Sequence, residues 1–150
     1  MKHETEQLAE LIRRKHAVLV QLRDVGRRQA DLVTVGEIGA LLKLLAGKQH
    51  LIVALQQLES QLKPFYAQNP DSRLWNSPAE RAQCAQLANE CNALLEEVVS
   101  LEKQGAEQMD ARKNEVASQL QRVHAAAHVR NAYQAQRRTH APSMEQQSST

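Results

Sequence analysis

The feature that most constrains this chain is a seven-residue apolar repeat. Leu44, Leu51, Leu58 and Phe65 form one series, and Leu41, Lys48, Leu55 and Leu62 form a second beside it. A repeat of seven keeps one stripe of a helix facing a neighbouring helix over many turns, which no strand can do. The repeat recurs further on, in Cys84, Cys91, Val98 and Gly105 beside Leu87, Leu94, Leu101 and Gln108. Near the start, Leu8, Leu11, Ile12, Val18, Leu19, Leu22, Val25 and Leu32 follow spacings of three and four, with Arg13, Arg14, Arg27 and Arg28 on the other face. Composition agrees. The chain is 42% hydrophobic but only 3% aromatic, with five Gly and four Pro among 150 residues, the makeup of long helices and coiled coils. The fold class expected is all-α: an elongated antiparallel three-helix bundle or coiled coil with an overlong C-terminal helix.

The boundaries follow from local signals. Helix 1 is expected over about 4–31. Thr34 followed by Glu37 reads as a capping box, which starts helix 2 and carries it over about 35–67; an unbroken helix through this point is the alternative. Asn69 to Pro78 is rich in turn formers and makes a loop. Ser77-Pro78-Ala79-Glu80 then places a serine cap, a proline at the first helical position and a glutamate at the third, so helix 3 is expected over about 78–133. After Gly105 the register slips and thins to Met109, Val116, Leu120, Val123 and Ala127. At about 1.5 Å per residue helix 3 would be roughly 80 Å long against roughly 40–50 Å for the other two. Residues 1–137 are read as one helical domain and 138–150 as a disordered polar tail.

The function classes narrow quickly. Net charge is +2, from 19 basic and 17 acidic residues, too small an excess to imply nucleic acid. Arg122, Arg130, Arg137 and Arg138 make the C-terminal region mildly basic, but Tyr133 is its only aromatic for stacking on bases. The chain begins Met-Lys-His-Glu-Thr-Glu, without an apolar signal core, and no apolar run approaches the roughly 20 residues of a membrane span. The expectation is a cytoplasmic protein with no membrane span and no nucleic-acid partner, and Cys84 and Cys91 suit a reducing compartment.

No constellation points to catalysis. Cys84 and Cys91 are two helical turns apart, about 10 Å, too far for a mutual disulfide, and read as small core residues. His124 and His128 share a helix face, but three alanines separate them where a metalloprotease helix has its glutamate. Glu96 and Glu97 are adjacent and point about 100° apart. Gly36 and Gly39 precede no Lys-Ser/Thr pair as a phosphate loop requires. The chain is therefore read as a non-enzyme without cofactor or metal. Trp75, the one tryptophan, reads as a plug over the end of the core, or as an exposed anchor for a partner.

Two stretches carry a family resemblance: Val35-Gly-Glu-Ile-Gly-Ala-Leu-Leu-Lys-Leu-Leu-Ala-Gly-Lys-Gln-His-Leu-Ile, and Arg73-Leu-Trp-Asn-Ser-Pro-Ala-Glu-Arg-Ala-Gln-Cys on through Cys91-Asn-Ala-Leu-Leu-Glu-Glu. With the three-helix plan they resemble, over about residues 5–135, a divergent FlgN family of flagellar type III export chaperones. Lys48 after a leucine-rich turn, Asn92-Ala93-Leu94-Leu95 and Tyr133 near the end match that pattern; Gln134-Ala135-Gln136-Arg137 stands where the family has a glycine. The resemblance implies a cytoplasmic chaperone that holds terminal helices of hook-associated proteins and delivers them to an export-gate component through the tyrosine region. Partner binding is accordingly expected at Met109, Val116, Leu120, Val123 and Tyr133. The stripe independently lacks an evident partner within the chain, and an unpartnered amphipathic face seeks a helix. The competing expectation is a structural coiled-coil protein without cargo, a homodimer through helix 3.

Overall fold

The computed structural model describes residues 2–140. They form three helices and no strand: α1 (Lys2–Val35), α2 (Ile38–Tyr66) and α3 (Pro78–His140), with a single 3-10 turn at Pro70–Ser72. The fold is an all-α bundle. Two units make it up, the first ending at Met109 and the second beginning at Asp110, where the sequence suggested one helical domain over 1–137.

The first unit packs all three helices. α1 and α2 run antiparallel: Lys15 meets Glu59 and Tyr66, whereas Gln29, further along α1, meets Lys48, earlier in α2. α3 runs with α1, so that Thr5 bonds to the Leu74 carbonyl just before α3, Cys91 lies on the Ile12 carbonyl and Gly26 abuts Leu101. The core gathers Leu8, Leu11, Ile12, Leu19 and Leu22 from α1, Leu58, Leu62 and Phe65 from α2, and Cys84, Cys91 and Leu94 from α3. A smaller cluster, Leu32, Val33 and Leu41, closes the α1–α2 turn. Both heptad series of α2 face inward: Leu41, Lys48, Leu58, Leu62 and Phe65 are buried, and Leu44, Leu51 and Leu55 half-buried.

The α1–α2 turn corrects the expected helix start. Thr34 caps nothing; its hydroxyl donates back to the Ala30 carbonyl inside α1. The break comes at Gly36, whose φ of 76° lies where a side chain is strained and glycine is not. The Gly36 N–H bonds to the Val33 carbonyl and the Glu37 N–H to the Leu32 carbonyl, the paired arrangement of a Schellman motif. Two backbone bonds gained at a glycine outweigh the one bond a threonine cap supplies. α1 therefore extends past Asp31 to Val35, and α2 begins at Ile38, with Glu37 at its cap making no side-chain bond.

Ser77 does cap α3, accepting from the Glu80 N–H at 3.1 Å. Asn69 holds the loop through its side-chain oxygen on the Asp71 N–H, Arg73 bonds to the Phe65 carbonyl, and Trp75 is half-buried against the core. α3 is unbroken through Gly105 and reaches His140, beyond the expected end near residue 133 and into the expected tail. Gly105 lies where α3 passes close to α1: a Cβ there would stand 2.9 Å from the Gln29 amide nitrogen. The rest of the tail expected to be disordered, residues 141–150, lies outside the described residues.

α2 differs from expectation in one further respect. Interrupting lysines hide its apolarity from a count of uninterrupted runs, yet Ile38–Tyr66 has the length and mean hydropathy, 1.4 over eighteen residues, that a membrane span needs. Here that apolarity faces two ways. One side enters the core, and on the other Ile38, Leu42 and Val53 are exposed, beside Val35 at the end of α1.

Candidate functional site

The second unit consists of α3 from Asp110 onward, and its side chains explain why it is the candidate site. Taking Val116 as origin and about 100° per residue, Leu120, Val123 and Ala127 fall within an arc of about 60°. This is the narrow seam of a coiled coil, not the wide stripe of a helix that faces a globular core. Val116, Leu120 and Val123 are 43%, 65% and 67% exposed. Ala127 is the one half-buried member. Beside the seam Leu120, Gln121, His124, Ala125 and His128 line a shallow apolar depression.

The five residues expected to bind a partner do not form one group. Met109 belongs to the first unit, where its sulfur accepts from the Gln29 amide at 3.6 Å, and it remains 37% exposed. Val116, Leu120 and Val123 share the seam. Tyr133 is 61% exposed but sits about 100° around the helix from Val116, with Val129 nearer its side.

Polar groups order the flanks. Arg112 pairs with Glu115 at 3.2 Å, and Arg122 donates to the Ser118 hydroxyl. Lys113 and Arg130 are exposed. In the heptad frame set by Leu120 and Val123, Lys113 falls on the seam at one end and Arg130 on the seam at the other. From Val116 to His140 the chain has no Asp or Glu.

Elsewhere the reactive groups are accounted for structurally. Cys84 and Cys91 are buried and free, and burial pushes both thiols above their ordinary range. Glu97 pairs with Arg27 across α1 and α3. His124 and His128 are exposed, and among the described residues no three His, Cys, Asp or Glu side chains converge. Lys48, the lysine in the resemblance, is buried and held by Gln29 and Glu102, and Lys15 is held by Glu59 and lies over the Tyr66 ring. Both lysines act as polar ties between helices.

Residues that sequence reasoning missed are Ile38, Leu42 and Val53 on the outside of α2. Their signal was present: the first half of α2 has few polar residues in any helical phase, so no orientation could bury all of its apolar side chains. Comparison with protein-family models, with curated proteins and with solved structures finds no match.

Proposed function

We propose that this chain is a non-catalytic, cytoplasmic, helix-binding chaperone of FlgN type. It holds terminal helical segments of hook-associated proteins and hands them to the flagellar export apparatus. The observation that carries the reading is the exposed seam of Val116, Leu120 and Val123. Covering a side chain of this size is worth on the order of 1.5–3 kcal/mol, so a matching helix has a strong reason to dock. The resemblance in residues 35–52 and 73–97 supplies the identity of the cargo. Tyr133, off the seam, is assigned to the export-gate contact, which leaves it accessible while the seam is occupied.

Co-expression with hook-associated proteins tests this. The chain should co-purify with at least one of them, and Val116→Ser, Leu120→Ser and Val123→Ser together should abolish capture while circular dichroism still reports a helical protein. Capture that survives the triple variant would move the binding surface elsewhere, and a folded chain that captures none of them refutes the cargo. A chain that sediments as a dimer until those three residues are changed would instead establish the homodimer.

A further inference from the structure

The ends of the seam say what kind of helix covers it. Lys113 and Arg130 lie on the seam itself, seventeen residues and about 26 Å apart, with Val116, Leu120, Val123 and Ala127 between them. A parallel copy in register sets Lys113 against Lys113 and Arg130 against Arg130. An antiparallel copy that matches Leu120 to Val123 and Val116 to Ala127 sets Lys113 against Arg130 at both ends, because the three pairs of positions share one centre. Either self-pairing that buries the apolar residues thus places cation on cation at two seam positions, a juxtaposition that suppresses association. The second unit holds two carboxylates among its described residues, Asp110 and Glu115, both near Lys113 and none toward Arg130; Glu115 is engaged by Arg112.

We infer that the seam of α3 pairs with an amphipathic helix of another protein that carries an acidic residue at each end of an apolar a/d ladder. In the partner an acid is followed by apolar residues three, seven, ten and fourteen positions later and by a second acid at seventeen. This spacing reads the same in both directions, so parallel and antiparallel partners satisfy it equally. No segment of this chain has the pattern. Its acidic pairs seventeen apart are Glu80 with Glu97 and Glu90 with Glu107, and both have polar residues among the intervening positions, Gln83 in the first and Glu97 in the second. A bilayer fits less well. Interfacial helices present a wide apolar face with large side chains, whereas this arc is narrow and holds Val, Leu, Val and Ala. The inference rests on the reading of this part of α3 as a cargo-holding face and adds the chemistry of the cargo.

The test uses the full chain and two labelled synthetic helical peptides. Both have leucine or valine at the four ladder positions and neutral residues elsewhere; one has glutamate at the two ends and its twin has lysine. Fluorescence anisotropy should show the glutamate peptide bound at least about tenfold more tightly at low salt, the sum expected of two exposed pairs turned from repulsive to attractive. The gap should narrow in 0.5 M salt. Lys113→Glu with Arg130→Glu should invert the preference, and Leu120→Ser with Val123→Ser should remove binding of both peptides. Equal binding of the twins, an unaltered preference in the double charge variant, self-association through residues 116–127, or tighter binding to vesicles containing phosphatidylserine than to the glutamate peptide overturns the inference. The two readings fail separately. Hook-associated proteins captured equally by the double charge variant leave the proposed function standing and refute the acidic brackets. A glutamate preference without capture does the reverse.

Discussion

Replacing Gly47 and Gly26 by alanine tests whether the helix contacts are as close as described. Both glycines are interior to helices, where alanine is favoured by about 1 kcal/mol. A Cβ added at Gly47 meets nothing within 4 Å, so G47A should keep the whole gain. A Cβ at Gly26 comes within 3.1 Å of both Cβ and Cδ1 of Leu101. The Leu101 Cβ is attached to its own backbone and cannot swing aside, so α1 and α3 must separate locally. Overpacking of this kind costs about 1–3 kcal/mol, which leaves G26A neutral to about 2 kcal/mol destabilised. The two variants should therefore differ by about 1–3 kcal/mol, with G47A above the parent and G26A at or below it. Urea unfolding followed by circular dichroism at 222 nm measures this, with an unchanged slope confirming that stability alone has moved. In heat, G47A should melt about 2–4 °C higher. G26A as stable as G47A would refute the close approach of α1 to α3.

Two further predictions concern buried groups. Burial, the strongest influence on Lys15, lowers its pKa, but the hydrogen bond with Glu59 and the neighbouring Tyr66 more than offset it, and the net shift is upward. A cation whose pKa is raised by folding contributes stability below the ordinary lysine range and loses it as the pH climbs through the raised value. E59Q should cost about 1–3 kcal/mol at neutral pH by leaving a buried cation underpaired. As the pH climbs above the ordinary lysine range the gap to the parent should close; a constant gap would show that the pair does not tune Lys15. The thiols of Cys84 and Cys91, raised by burial, should react with a thiol reagent at pH 8 far more slowly than a free cysteine and accelerate in urea; full-speed labelling of the folded chain would contradict their place in the core.

Much of the fold was legible because helix periodicity is local. The spacings that named Leu58, Leu62 and Phe65 as inward residues need only a period, and the Ser77-Pro78-Glu80 start needs only four residues. Thr34 misled because its cap competed with Gly36, and the winner depends on which carbonyls can be satisfied. Lys48 shows the same limit. A lysine in an apolar register reads as a fault until Gln29 and Glu102, from two other helices, are seen beside it.

The candidate site divides in the same way. The sequence by itself determined that Val116, Leu120 and Val123 share a stripe and that cations bracket it, because angular position on a helix follows from residue number. Whether the residues of a stripe are buried is not fixed by residue number, and only the tertiary structure decided it. In the first unit the bundle closes around Cys84, Cys91 and Leu94, and in the second Val116, Leu120 and Val123 are exposed to solvent.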